Sequence, residues 1–211
     1  MTCRENLGLL SSFTEKALKT NHRNTHPIAR LSSRFFAGHQ TGIAELPDRP
    51  GDLPRLHCLR GTPEMANRIA IHAKNNPEQS TLVVCPNPKV QMRIYRSLVD
   101  KFDGDRRIKV DGYGRSKCLS GLKIENAPVG EDGCIFLVLH QSMKGLEADA
   151  VFVPHLEEFD FGDSGSSREK MTLYVLCSRA RTTLELQYVD RDSNRAIELF
   201  QAIPENELER P

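Results

Sequence analysis

Residues 134–140 read Cys-Ile-Phe-Leu-Val-Leu-His, and the run from 140 to 147 continues His-Gln-Ser-Met-Lys-Gly-Leu-Glu. An unbroken apolar stretch closed by polar residues, too short for an ordinary helix, predicts a strand buried on both faces. Residues 81–85 (Thr-Leu-Val-Val-Cys) form a second such run and 150–154 a third. Around them the period changes. Val90, Ile94, Leu98 and Phe102 fall at helical spacing over 88–102, and Met65, Ile69 and Ala73 share one side of a helix over 63–75. Pro27 opens a helix over 28–37, which Gly38 closes. Further helices are expected over 6–18, 171–181 and 193–202, and further strands over 55–60, 108–110 and 183–189. Strands alternating with helices of this size predict an α/β fold, a mostly parallel sheet flanked by helices on both faces. The expected boundaries are a helical lead-in over 1–20, one domain over 21–203 and a tail over 204–211.

A chain of 211 residues with 38% hydrophobic content can bury one real core. A charged fraction of 27% and a mean hydropathy of -0.46 describe a polar but folded protein. With 29 basic and 28 acidic residues, the net charge of +1 excludes a strongly basic nucleic-acid wrapper and an acidic tail protein. No apolar run is long enough to span a membrane and no secretory signal is visible, so a cytoplasmic protein without a membrane partner is expected. Six cysteines, at 3, 58, 85, 118, 134 and 177, form no Cys-x-x-Cys and no zinc spacing. They read as reduced structural thiols, and no metal site is expected.

The segment from 103 to 132 holds several glycines and only one short strand candidate, and reads as a functional or excursion loop. Lys101, Arg106, Arg107, Lys109, Arg115 and Lys117 cluster around it. They suit DNA phosphates, or, interleaved with Asp103, Asp105 and Asp111, a solvated loop.

Three polar clusters carry the chemistry. The run from His140 to Glu147 follows a buried strand, where open parallel sheets bind ligands, although polar loops are common there without one. Gly145 permits a tight turn within it. Arg179 and Arg181, in Tyr-Val-Leu-Cys-Ser-Arg-Ala-Arg (174–181), present planar forks suited to phosphate, or complement the dipole at a helix end. Asn21-His22-Arg23-Asn24 precedes a helix that Asn24 or Thr25 would cap, while Arg23 could face an anion.

Taken in order, these clusters resemble the second RecA-like domain of UvrD/Rep-like superfamily 1 DNA helicases. Residues 20–36 resemble the family's fourth motif, residues 138–154 its Lys-Gly-Leu-Glu-containing fifth, and residues 173–186 its sixth. The resemblance implies a RecA-like three-layer fold, with catalytic Arg23 and Arg179 approaching the γ-phosphate of ATP. It places Glu147, Gly145 and Arg181 at or around the nucleotide, with Arg181 in support. His140, Gln141, Ser142 and Lys144 would lie against single-stranded DNA. The chain departs from the family pattern where Val138 replaces a threonine, His22 a tyrosine and Ser178 a threonine, and where no large subdomain separates the fourth and fifth motifs.

No Gly-x-x-x-x-Gly-Lys-Ser/Thr run occurs in the sequence, nor an apolar strand ending in Asp-Glu. ATP and Mg2+ are therefore expected to be held mainly by a separate P-loop domain, in cis or in trans. Two readings follow. One is the C-terminal motor domain of an ATP-dependent helicase, inactive alone. The other is a stand-alone RecA-like interaction module acting with a partner ATPase.

Overall fold

Strands at the centre of the sheet form where the sequence offers nothing polar to either side. The computed structural model describes residues 21–38, 44–114, 117–122, 126–160, 166–190 and 195–211. In chain order the elements are α1 (His26–Ser33), β1 (Arg55–Cys58), α2 (Thr62–Asn75), β2 (Thr81–Cys85), α3 (Pro88–Lys101), β3 (Lys109–Gly112) and β4 (Cys134–Leu139). They continue as β5 (Ala148–Val153), α4 (Ser167–Cys177), β6 (Ala180–Tyr188) and α5 (Arg195–Gln201). The strands make one six-stranded sheet in the order β1-β6-β5-β2-β4-β3, every neighbouring pair parallel. The expected α/β architecture, helices on both faces of a parallel sheet, is what the chain adopts. The helix expected over 6–18, and with it the lead-in over 1–20, lies outside the described residues.

Alternate residues of the central strands divide between two cores. Leu82, Val84, Phe136, Val138, Val151 and Val153 face α1, α4 and α5, whereas Val83, Cys85, Ile135, Leu137, Ala150 and Phe152 face α2 and α3. This period-2 division of an unbroken apolar run is what a sheet with no wet face requires. Buried Cys134 has its thiol pushed up to about 12, and Cys85 and Cys177 are raised by burial as well, so these sulfurs remain protonated packing groups. Cys58, Cys85, Cys134 and Cys177 are free thiols. Among the described residues no helix is long and apolar enough to cross a membrane.

Several boundaries differ from the sequence expectation: α1 ends at Ser33 with Arg34 as its C-cap, not at 37 before Gly38, and β1 ends at Cys58, not at 60. Ser166 caps α4 by accepting from the Glu169 N–H at 3.1 Å, so the helix starts four residues early and ends at Cys177 instead of running to 181. Strand β6 then begins at Ala180, which puts Arg179 in the turn and Arg181 on the strand. The strand's opening residues, Arg181 to Thr183, are not buried, so no apolar run announced it. The segment over 103–132 is also less of an excursion than expected. Buried Asp111 accepts from Gly112 N–H, Ser120 N–H and the Ser120 hydroxyl, which folds residues 117–122 back onto β3. Two of its cations are paired there, Arg107 with Asp105 and Lys109 with Glu131.

The last residues are not a loose tail. Leu208 is fully buried, and Glu209 pairs with the outer edge of β1 through Leu56 N–H to Glu209 O and Glu209 N–H to Pro54 O, both 2.9 Å. Glu207, its side chain 2% exposed, accepts from Arg34 Nε and Nη2 at 2.5 and 2.6 Å and lies 2.8 Å from Arg30. Hydrogen bonds from Arg34 outweigh burial and hold the Glu207 carboxyl below its ordinary value. Its stabilising contribution is therefore present above the ordinary carboxylate range and lost as pH falls through the lowered folded value. Replacing Glu207 by alanine should cost about 1–3 kcal/mol in urea unfolding at pH 7, an intermediate figure because both arginines are half exposed. The gap between wild type and variant should close in acid; an undiminished gap would show that ion pairing is not the cause.

Candidate nucleotide and nucleic-acid site

Strands β5 and β6 start side by side, Ala148 beside Ala180, and the residues flanking those alanines carry opposite charges. Arg23 Nη2 lies 2.8 Å from Glu147 Oε1, Arg181 Nε 3.8 Å from Glu147 Oε2, and Arg181 Nη1 3.7 Å from Asp149 Oδ1. Arg179 joins them from the turn before β6, donating from Nη1 to Leu146 O at 3.3 Å. Three guanidinium groups thus face two carboxylates. One carboxylate is already occupied, since Asp149 accepts from Ser80 N–H at 3.0 Å and Ser80 Oγ at 2.7 Å. Burial opposes ionisation of Asp149, but the Ser80 bonds and Arg181 prevail and keep its carboxyl below the ordinary value. Burial first, and then the nearby Arg23, push the Arg179 guanidinium down against the pull of Glu147. Its Nε is buried without a hydrogen-bond partner among the described residues. An orphaned donor inside a surplus of positive charge is a site that an anion relieves.

Asn24 holds this arrangement, in a role the sequence did not disclose. It does not cap α1, whose N-cap Thr25 makes no side-chain cap bond either. Instead the Asn24 amide, 1% exposed, donates to Ala180 O at 2.5 Å and Ser178 O at 3.0 Å, the two carbonyls on either side of Arg179. Asn21 orients it, donating from Nδ2 to Asn24 Oδ1 at 2.7 Å, while Asn21 Oδ1 accepts from Arg23 N–H at 2.9 Å. The Asn21–Asn24 island therefore places Arg23 and fixes the turn that bears Arg179. The only sequence signal was the pair of asparagines flanking His22 and Arg23.

The other predicted residues lie toward the opposite end of the sheet. His140, Gln141 and Ser142 form a 3-10 turn directly after β4, and Gly145 turns the chain at φ +83°, a left-handed value that favours glycine. His140 is half-buried beside Phe159, ring centroids 5.5 Å apart, and burial lowers its imidazole so that it is neutral at pH 7. His140, Gln141 and Lys144 line a cleft of about 870 Å³ that also reaches Arg179, whereas Ser142 is exposed outside it. Val138 is fully buried, and the Ser178 hydroxyl donates to Val175 O at 3.0 Å, so neither position offers a group to a ligand. His22 is exposed. The basic residues over 101–109 run from the last residue of α3 to the first of β3, and none of them lines the cleft.

Among the described residues His155, Glu157 and Glu158 bring three metal-capable atoms within 4.8 Å. Each is already engaged. His155 bonds Thr62 Oγ1 at 2.8 Å and Glu157 Oε1 at 2.7 Å, and Glu158 accepts from Asn87 at 2.9 Å and Arg93 at 3.2 Å. The trio ties the loop after β5 to the starts of α2 and α3.

Comparison with solved structures places this architecture. The C-terminal domain of a possible DNA helicase from Lactobacillus plantarum WCFS1 superposes with a TM-score of 0.59 at 18% identity, covering 90% of this chain and 99% of that one. The fold is that of a helicase C-terminal RecA-like domain. Weaker likenesses include T4 UvsW, at 10% identity and a TM-score of 0.45, covering 93% of this chain and 37% of that one. The Pyrococcus furiosus Hef helicase domain follows at 12% and 0.42, covering 68% and 28%. No protein-family model matches the chain, and no curated protein matches it in sequence.

Asn24→Ala should strand two buried carbonyls and cost about 1–3 kcal/mol in denaturant unfolding. A loss below a few tenths would remove Asn24 from its position as the tie between the two segments.

Proposed function

We propose that the chain is the second motor domain of a UvrD/Rep-like superfamily 1 DNA helicase, contributing arginines to ATP hydrolysis and one wall of a path for single-stranded DNA. The observation that carries this reading is the convergence of Arg23, Glu147, Arg179 and Arg181, from three separate segments, beside an unpartnered Arg179 Nε. The site fits a polyphosphate: its cations outnumber its carboxylates, and one buried donor has nothing to bond. When bound, ATP with Mg2+ supplies the phosphoryl group whose transfer to water releases the energy for movement. Arg179 and Arg23 would neutralise charge that builds on that group, with gains of the kind an arginine finger provides. Glu147 holds Arg23 in place, and Arg181, at 3.7–3.8 Å from both carboxylates, completes the ionic frame as a supporting residue.

The P-loop and the metal-binding hydroxyl belong, in this reading, to a companion RecA-like domain in cis or in trans. Closure of the two domains brings the arginines to the nucleotide. Opening withdraws them, and the loop over 140–147 runs between the arginine cluster and the cleft.

The pure chain should release no phosphate from ATP. Single-turnover hydrolysis by the pure chain, abolished in Arg179→Ala, would overturn the assignment of the nucleotide to another domain. With the P-loop domain supplied, Arg179→Ala should slow hydrolysis about 10³-fold or more, and undiminished turnover would take Arg179 out of the reaction.

A further inference from the structure

The cleft of about 870 Å³ has two walls, and the loop over 140–144 is only one of them. The other is the exposed side of α4, which presents Arg168, Met171, Thr172 and Val175, with Pro86 and Asn87 at the end of β2 closing the floor. Only the end of α4, residues 173–177, fell within a motif in the sequence, and none marked Arg168, Met171 or Thr172. Helix α4 returns from the carboxyl edge of the sheet to its amino edge, so Arg168 in its first turn and Arg179 just beyond its last lie toward opposite, outer and inner, ends of the cleft.

Charge decides what this cleft takes. Lys144 and Arg168 are both exposed and have no carboxylate partner among the described residues. Two acids line the cleft: Glu158 is neutralised by Arg93 at 3.2 Å and bonded by Asn87 at 2.9 Å, and Asp160 is exposed. Against Asp160 stand Lys144, Arg168 and Arg179, so the net charge of the cleft is positive, with one cation on each wall and a third at the inner end. Between the cations the lining is apolar: Met143 is buried in the loop wall, and Met171 and Val175 face it from the helix. Thr172 adds little polarity, because its hydroxyl donates to Arg168 O at 2.9 Å.

Separated cations with an apolar strip between them match a ligand that alternates anionic groups with flat apolar ones. A single nucleic-acid strand is such a ligand, its phosphates taken by cations and its bases by apolar surface. We infer that α4 is the second wall of the strand path, with Arg168 contacting a backbone phosphate and Met171 and Val175 receiving a base. This rests on the proposed reading of the chain as a helicase motor domain, and deepens it.

The test is fluorescence anisotropy of a labelled twelve-nucleotide oligo-dT titrated with the full chain across a range of potassium chloride. Arg168→Ala should weaken binding about 5-fold and reduce the salt slope by about 0.7, the share of one single-strand phosphate. Arg168→Lys should restore most of both. Arg96→Ala, an exposed cation on α3 across the sheet from α4, should change neither. A strand of abasic sugar-phosphate should bind the wild type more weakly than oligo-dT does. If Lys144→Ala weakens binding while Arg168→Ala leaves affinity and slope unchanged, α4 is not a wall of the path, though the strand-binding reading stands. If the wild-type chain fails to bind oligo-dT even at low salt, the reading of this edge and the role of α4 fall together.

Discussion

Strands β2, β4 and β5 are apolar on both faces, and this confines their polar side chains, Thr81 and Asp149, to the strand starts. A buried charge deeper in the sheet needs a partner of its own, as Glu185 of β6 has in Arg68 of α2 at 3.2 Å. The consequence is a division of labour between the two edges. At the amino edge the first residues of β5 and β6 bring together Glu147, Asp149 and Arg181. Around the carboxyl edge the residues after β2 and β4 open a cleft. The loop over 140–147 runs from one edge to the other across a single face, so its sequence carries residues belonging to both.

Holding the amino-edge charges in register takes more than their mutual attraction. Partly exposed ion pairs at 3.7–3.8 Å are loose. The firm element is uncharged: the Asn24 amide on the Ser178 and Ala180 carbonyls, supported by Asn21. Backbone contact reinforces it, since Thr25 N–H donates to Arg181 O and Ala148 N–H to Arg179 O, at 3.0 and 3.3 Å. Three segments far apart in sequence are thus fixed by backbone geometry before their side chains are considered. That leaves the arginines free to exchange a carboxylate for another anion without disturbing the fold.

Apolar runs and helical spacing made the central strands and helices α2 and α3 legible, because burial on a fixed period is a local property of the sequence. The three polar clusters were legible too, and the structure brings Arg23, Glu147, Arg179 and Arg181 together. Three other features were not. The start of α4 depends on one Ser166 cap ahead of a weakly amphipathic helix, and after Ala180 the first residues of β6 lie outside the core, so the pattern placed Arg179 and Arg181 inside a helix. The role of Asn24 is a bond between residues 154 positions apart, invisible to any periodicity and easily read as a helix cap. Residues 204–211 look polar and terminal, yet Glu207 is buried between two arginines and Leu208 in the core.

Arg179 belongs to both regions of the molecule, since it stands among the charges at the amino edge and forms the inner end of the cleft. In the proposed reading its energy therefore depends on two ligands at once. Any occupant that reaches the inner cleft alters the field and hydration of the guanidinium, and so alters how strongly it holds an anion. Linkage makes the effect reciprocal: an anion on Arg179 must change the affinity of the cleft by the same factor. A shared side chain of this kind couples two binding equilibria without requiring any element of the fold to move, and its sign depends on whether the two occupants compete for the guanidinium or share it.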